Sequence, residues 1–225
     1  MIVLTGASGG IGTEIIEDLS KLDDVLAIYN TTKPKNINLS NVSFRKVDIS
    51  DSEEIKSFVD KEGSNLTNIS LINMAAVSID GLLANYDLEN WEKVMKINLI
   101  SNFLFSKYLL PKMIKDKWGR IIHVSSTNSA IGAGAYSSSK SGLDGLSKAL
   151  SKEYGRYNIT SNIIKLGVFN SGMFHQLSKK NQKIFLEKIP SKNIGKTSNI
   201  TNAISFLISS EFVNGASITI DGGAS

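Results

Sequence analysis

Short runs of apolar and β-branched residues alternate along this chain with longer stretches of helical periodicity, and that alternation limits the folds open to it. Strands are expected at 2–5 (IVLT), 25–29 (VLAIY), 43–47 (VSFRK), 69–73 (ISLIN), 119–125 (GRIIHVS), 159–165 (ITSNIIK) and 216–220 (ASITI). Helices are expected near 11–21, 52–61, 88–113, 136–156 and 198–209. Strands separated by helices pair in parallel, because each helix carries the chain back across a face of the sheet. A run such as ISLIN, apolar almost throughout, suits a strand covered on both faces. The expected fold is therefore α/β: a doubly wound, Rossmann-type sheet of about seven parallel strands with helices on both faces. One stretch breaks the alternation. Residues 30–42, NTTKPKNINLSNV, contain Pro34 and few apolar side chains, so a loop is expected where a helix would otherwise stand.

The first strand runs directly into TGASGGIG at 5–12. Gly6, Gly10 and Gly12 let the backbone turn sharply and approach a ligand with no Cβ in the way. The helix that follows offers free N–H groups and the positive end of its dipole, which suits a pyrophosphate. The spacing is G-x-x-x-G-x-G, distinct from the G-x-G-x-x-G of the longer Rossmann dehydrogenases. In the first strand–helix connection of an α/β chain, such a turn points to nucleotide binding.

YSSSK at 136–140 places a tyrosine and a lysine four residues apart. On a helix these positions share a face, so Tyr136 and Lys140 point the same way. An ammonium beside a phenol favours the phenolate, which brings a group of pKa about 10 toward acid–base work near neutrality. Taken alone, the five residues read first as a polar helix surface, since motifs this short recur by chance.

With 225 residues the chain is expected to form one domain with a full core, and no repeat or linker interrupts it. It contains no cysteine, which excludes disulfides, thiolate metal sites and a cysteine nucleophile, and fits a reducing compartment. No apolar run reaches the roughly 18 residues of a membrane span. The first strand begins at the N-terminus with no room for a signal peptide, so a cytoplasmic location and no membrane partner are expected. A net charge of +4 raises nucleic acid as a partner, but the basic residues are scattered with no aromatic interleaving, and none is expected.

TGASGGIG and YSSSK together resemble the short-chain dehydrogenase/reductase family, and the resemblance covers essentially the whole chain. VDIS at 47–50 matches the family segment whose aspartate, here Asp48, meets the adenine. NMAA at 73–76 stands where the family has N-N-A-G, KINLIS at 96–101 carries Asn98 at the active-site asparagine, and IIHVSS at 121–126 ends in the serine pair. ITIDGG at 218–223 is the usual close, and IDGLLANYDLENWEKV and IPSKNIGK look most like the β-ketoacyl–acyl-carrier-protein reductase branch.

The resemblance implies hydride transfer between a nicotinamide and a carbonyl, with no metal required. Tyr136 would be the acid/base, and Lys140 would lower its pKa and bind the nicotinamide ribose. Ser126 would hold the substrate carbonyl, with Ser125 competing for the role, and Asn98 would anchor a water that relays protons from Lys140. The dinucleotide would lie against Gly6, Ser8, Gly9, Gly10, Ile11 and Gly12, then Asn30, Thr31, Thr32 and Lys33, then Asp48, Ile49, Asn73 and Ala75. Beyond Tyr136 and Lys140 it would meet Gly167, Phe169 and Ser171. Leu166-Gly167 replaces the family's Pro-Gly, Ser171 its usual threonine, and the stretch between Ser126 and Tyr136 is a few residues short. His123 and His175 have no partner pattern and are expected to be packed or solvent-facing.

An acid at the end of the second strand would bind the ribose 2′-hydroxyl and select NAD. Here YNTTKPK offers no acid and places Lys33 in reach, which favours NADP(H), with NAD(H) as the alternative. Gly9 stands where many NADP-preferring relatives carry arginine.

Residues 172–196 fall at the family's substrate lid. From Leu177 to Thr197 they carry six lysines (179, 180, 183, 188, 192, 196) against Glu187. That charge would draw an anionic or carrier-linked substrate, or else is a solvated face. Met173, Phe174, Leu177, Ile184, Phe185 and Leu186 recur there at helical spacing and are expected to close over the pocket or pack on the core. Small residues on the helix from 136 (Ser137, Ser138, Ser141, Gly142, Gly145, Ser147) and the long 88–113 helix are where relatives dimerise, and a homotetramer is expected.

The resulting expectation is an NADPH-dependent reductase of a ketone or β-keto thioester. The alternatives are an NAD-linked alcohol or sugar dehydrogenase, and a dinucleotide-binding sensor that does not turn over.

Overall fold

A computed structural model describes residues 1–35, 37–127, 130–171, 174–175 and 178–225. Met173 and Leu177, expected in the lid's apolar set, lie outside the described residues, as do Asn36 of the 30–42 loop and the start of the lid at Gly172.

Seven strands form one parallel sheet: β1 (Ile2–Thr5), β2 (Val25–Tyr29), β3 (Val42–Lys46), β4 (Ser70–Asn73), β5 (Gly119–Ser126), β6 (Ile159–Leu166) and β7 (Ser217–Ile220). Their order is β3-β2-β1-β4-β5-β6-β7. Successive strands step outward from β1 in one direction and from β4 in the other. The strand order therefore reverses between β1 and β4, and ligands of open α/β sheets bind beyond the carboxyl ends of the strands at such a point. Every strand lies within about a residue of its sequence expectation at each end.

Alternation along β1 divides the core. Ile2 and Leu4 face one layer, with Ile15, Ile16 and Leu19 of α1 (Gly10–Ser20) and Ile200, Ile204 and Leu207 of α7 (Thr197–Ser209). Val3 faces the other, with Ile55 and Phe58 of α2 (Ser52–Glu62), Phe105 and Met113 of α4 (Ser101–Asp116), and Leu150 of α5 (Gly134–Tyr154). Because consecutive strand side chains point to opposite faces, one apolar run serves both layers. The described part of 30–41 forms neither helix nor strand, as its composition leads one to expect.

Two elements depart from the sequence reading. The long helix expected over 88–113 is broken: α3 (Leu88–Met95) and α4 are joined by a π turn at Lys96–Ile100, in which the Ser101 N–H reaches back five residues to the Lys96 carbonyl. Hydrophobic periodicity does not register a single inserted residue in a helix. The second is a helix in the segment expected to be a lid, α6 (Lys179–Lys188), capped by the Ser178 hydroxyl accepting from the Asn181 N–H.

Candidate active site

The turn after β1 is closed to side chains. Gly6 has φ +74°, and a Cβ there would stand 2.7 Å from the Ala75 backbone. A Cβ on Gly12 would come within 2.2 Å of the Gly6 carbonyl oxygen. Thr5 Oγ1 accepts from the N–H groups of Met74 and Ala75 at 3.1 and 3.2 Å, which fixes the end of β4 beside this turn. Gly9 caps α1 with no side chain, so the first amides of the helix face out past Ser8, Gly9 and Gly10, all exposed, with Ile11 half-buried behind them. A tight backbone cradle at an uncapped helix start fits a pyrophosphate, and these residues fit a dinucleotide.

Asn30, Thr31, Thr32 and Lys33 follow β2 on the surface, with Lys33 Nζ 5.1 Å from the Phe44 ring centroid. The Asp48 carboxylate accepts from Ser50 Oγ at 2.7 Å and Ser50 N at 2.9 Å. These bonds, with Asn30 and the Lys46 charge, hold it below the usual carboxylate range. Other expected contacts sit deeper than the sequence suggests. Ile49 belongs to the core, and Phe169 is 4% exposed with its ring against Gly195, so only their backbones remain for a ligand. Asn73 is 1% exposed, with its amide turned to His123. Gly167 lies where a Cβ would meet Asp221 Cβ at 2.5 Å. Ser171 donates to Glu14 Oε1 at 2.6 Å, so this hydroxyl is linked to α1 beside the glycine turn.

Tyr136 and Lys140 occupy the same buried face of α5, 7% and 4% exposed. Lys140 Nζ donates to the Val124 carbonyl at 2.7 Å and lies 5.8 Å from the centroid of the Tyr136 ring. Burial lowers the ammonium to a pKa of about 8. The i, i+4 spacing leads one to expect a phenol shifted down by the lysine. Instead burial pushes Tyr136 up, and the influence acting the other way is a hydrogen bond with Ser126. The ammonium is directed at a strand carbonyl and not at the phenol oxygen.

The two serines of β5 both reach α5 but engage different residues of it. Ser125, 3% exposed, donates to the Lys140 carbonyl at 3.1 Å. Ser126 meets the Tyr136 phenol.

Asn98 is fully buried at the centre of the π turn. Its Oδ1 accepts from the Val77 N–H at 2.8 Å, and its Nδ2 donates to the Val77 carbonyl at 2.9 Å and to Ser139 Oγ at 3.0 Å. Ser139 donates in turn to the Tyr136 carbonyl at 2.7 Å. The amide thus clasps the segment after β4 to the first turns of α5. Val77, Ser139, Val124 and Glu14 were not singled out from sequence. The first three contribute through backbone or a generic hydroxyl, and no residue type marks such a role.

Residues 1–182 match the short chain dehydrogenase family. The chain belongs to that family. A 3-oxoacyl-[acyl-carrier-protein] reductase from Buchnera aphidicola subsp. Baizongia pistaciae is 35% identical, with 98% of this chain and 95% of the relative covered. One from Rickettsia conorii is 32% identical over the same shares. Nodulation protein G of a Rhizobium species is 29% identical, again over 98% and 95%. Among solved structures, one from Agrobacterium tumefaciens with a provisional gluconate dehydrogenase name superposes with a TM-score of 0.90 at 23% identity, covering 100% of this chain and 95% of its own. That likeness concerns the fold. As a family member the chain is an oxidoreductase that uses a nicotinamide dinucleotide and a small-molecule substrate. No helix among the described residues is long and apolar enough to cross a membrane.

Proposed function

We propose that this short-chain dehydrogenase is an NADPH-dependent reductase that converts a ketone or β-keto thioester of the 3-oxoacyl type to the secondary alcohol. The observation carrying this reading is the convergence of Tyr136 and Lys140 from α5 with Ser126 from the end of β5, above the Asn98 clasp. The dinucleotide supplies the hydride when bound. Tyr136 donates the proton to the carbonyl oxygen, and Ser126 stabilises the charge developing there. Ser126 also bonds the phenol and favours the phenolate left behind, while Lys140 binds the ribose and is resupplied with protons along the Asn98 segment.

The substrate class rests on the two reductase relatives and on an apolar rim. Leu82, Leu83 and Ile131 are 63, 66 and 95% exposed, and Leu83 packs on Gly134 at the start of α5, which suits an acyl chain. The lysines of α6 suit a substrate carried on an anionic group. NADP(H) is favoured over NAD(H) because no acid follows β2 and Lys33 does. We read residues 1–225 as one domain with its lid near 172–196, a cytoplasmic enzyme, and a homotetramer built through α4 and α5. Gly145 is open enough for a close partner, since a Cβ there would meet nothing within 4 Å. Ser147, by contrast, bonds Ser161 at 3.0 Å and faces the sheet.

The test is carbonyl-dependent NADPH oxidation with an acetoacetyl thioester, wild type beside Tyr136→Phe, with NADH in parallel. Turnover with NADPH that disappears in the variant is the expected result. Turnover with NADH alone would overturn the cofactor assignment, and dinucleotide binding without oxidation would overturn the substrate class.

A further inference from the structure

A buried line of side chains leads from β5 to the π turn, and its inner members lie away from the proposed chemistry. His123, fully buried on β5, has Nδ1 3.0 Å from Asn102 Oδ1. Asn102 Nδ2 donates to the Asn98 carbonyl at 3.1 Å, which fixes the orientation of the Asn102 amide. With oxygen facing the ring, Asn102 requires that Nδ1 carry the imidazole proton. Asn73 Nδ2 stands 3.3 Å from the same nitrogen, which cannot also accept. Turning the Asn73 amide over resolves the conflict, because Asn73 Oδ1, otherwise without a hydrogen bond, then shares the Nδ1 proton. Burial and the Lys140 charge hold the ring pKa near 3, so it stays neutral and keeps this arrangement.

The π turn is held from the following helical turn. Ser101 Oγ donates to the Ile97 carbonyl at 2.6 Å, as Asn102 does to that of Asn98. A five-residue turn inserted in a helix is a local departure that needs such support. We propose that His123 and Asn102 are positioning residues: His123 orients the Asn102 amide, and Asn102 holds the Asn98 carbonyl so that the Asn98 side chain reaches Val77 and Ser139. The consequence for catalysis rests on the reading above that Asn98 takes part in proton supply.

The test uses Asn102→Leu, His123→Leu and the double variant. Asn102→Asp is added because it keeps an acceptor for His123 but offers Asn98 no donor. Amide hydrogen exchange needs no substrate. Exchange at 96–102 is expected to quicken about tenfold or more in each variant while α5 amides hold their rates. In carbonyl reduction, kcat is expected to fall about tenfold at constant KM for NADPH, and the double variant to lose no more than either single one. Unchanged exchange at 96–102, acceleration spread equally over α5, or an Asn102→Asp variant indistinguishable from wild type would overturn the proposal. Multiplying losses in the double variant would overturn it as well. If wild type reduces no carbonyl, the proposed function falls, and the exchange measurement still decides the positioning role.

Discussion

Lys140 donates its ammonium proton to the Val124 carbonyl at 2.7 Å, so the residue four positions beyond Tyr136 is tied to β5 and not to the phenol. Tyr136 accordingly has a pKa raised by burial, and Lys140 one lowered to about 8. A lysine depressed in the folded state binds fewer protons than the unfolded chain between about pH 8 and its ordinary value of 10.5, so stability rises with pH through that window. Below pH 8 the buried charge is a full destabilising load.

Lys140→Met is therefore expected to melt higher than wild type at pH 7. The difference should shrink as pH climbs from about 8 to 10.5, read as thermal midpoints of the two proteins across that range. Catalysis should be lost in the same variant, since a stabilised active site that no longer works is the usual trade. A variant no more stable at pH 7 would show that the bond to Val124 outweighs the desolvation.

Ser125→Ala and Ser126→Ala separate the two hydroxyls. Ser126→Ala is expected to lower kcat by about 10²-fold or more, the scale of losing one donor to a developing oxyanion, with the melting temperature little changed. Ser125→Ala removes the bond to the Lys140 carbonyl and is expected to cost about 1 kcal/mol of stability, seen in denaturant titration, at near-normal kcat.

His123 governs an acid limb. Its folded pKa of about 3 lies below the ordinary imidazole value of 6.5, so its neutral burial contributes stability above pH 6.5 that is lost as pH falls toward 3. Each pH unit inside that window costs about 1.4 kcal/mol. Urea midpoints of wild type should fall more steeply from pH 6.5 to 4 than those of His123→Gln. Parallel curves would place the acid sensitivity elsewhere.

Glu14 sets a carboxylate in the second turn of α1, 2.6 Å from Ser171 Oγ and behind the glycine turn. Removing that negative charge from behind a turn that is to receive a pyrophosphate should favour binding, because like charges repel. Glu14→Gln is expected to tighten NADPH several-fold in a fluorescence titration, more at low salt than at high. Weaker binding would mean that the Ser171 bond organises the site.

Much of the fold is legible in the chain because the signals are local. Strand positions follow from short apolar runs, the phosphate turn from glycines whose Cβ atoms would strike Ala75 or Gly6, and the shared face of Tyr136 and Lys140 from helical spacing. Other features leave no local mark. Helix α6 has no buried residue, so the helical spacing of Ile184, Phe185 and Leu186 marks no core face there. The π turn inserts one residue into a helix whose composition is otherwise unremarkable.

The sequence by itself determined the alternating α/β order, the glycine spacing of the turn at 5–12 and which tyrosine and lysine stand together, because each is written in residues one or two turns apart. Only the tertiary structure decided that Ser126 and not Ser125 meets the phenol, that Lys140 turns to Val124, and that Asn98 clasps Val77 to Ser139. Those outcomes depend on which face of β5 is covered by α5 and on the register between segments 21 and 41 residues apart. Burial then reverses the direction of the tyrosine's shift, because removing a group from water is a property of everything packed around it.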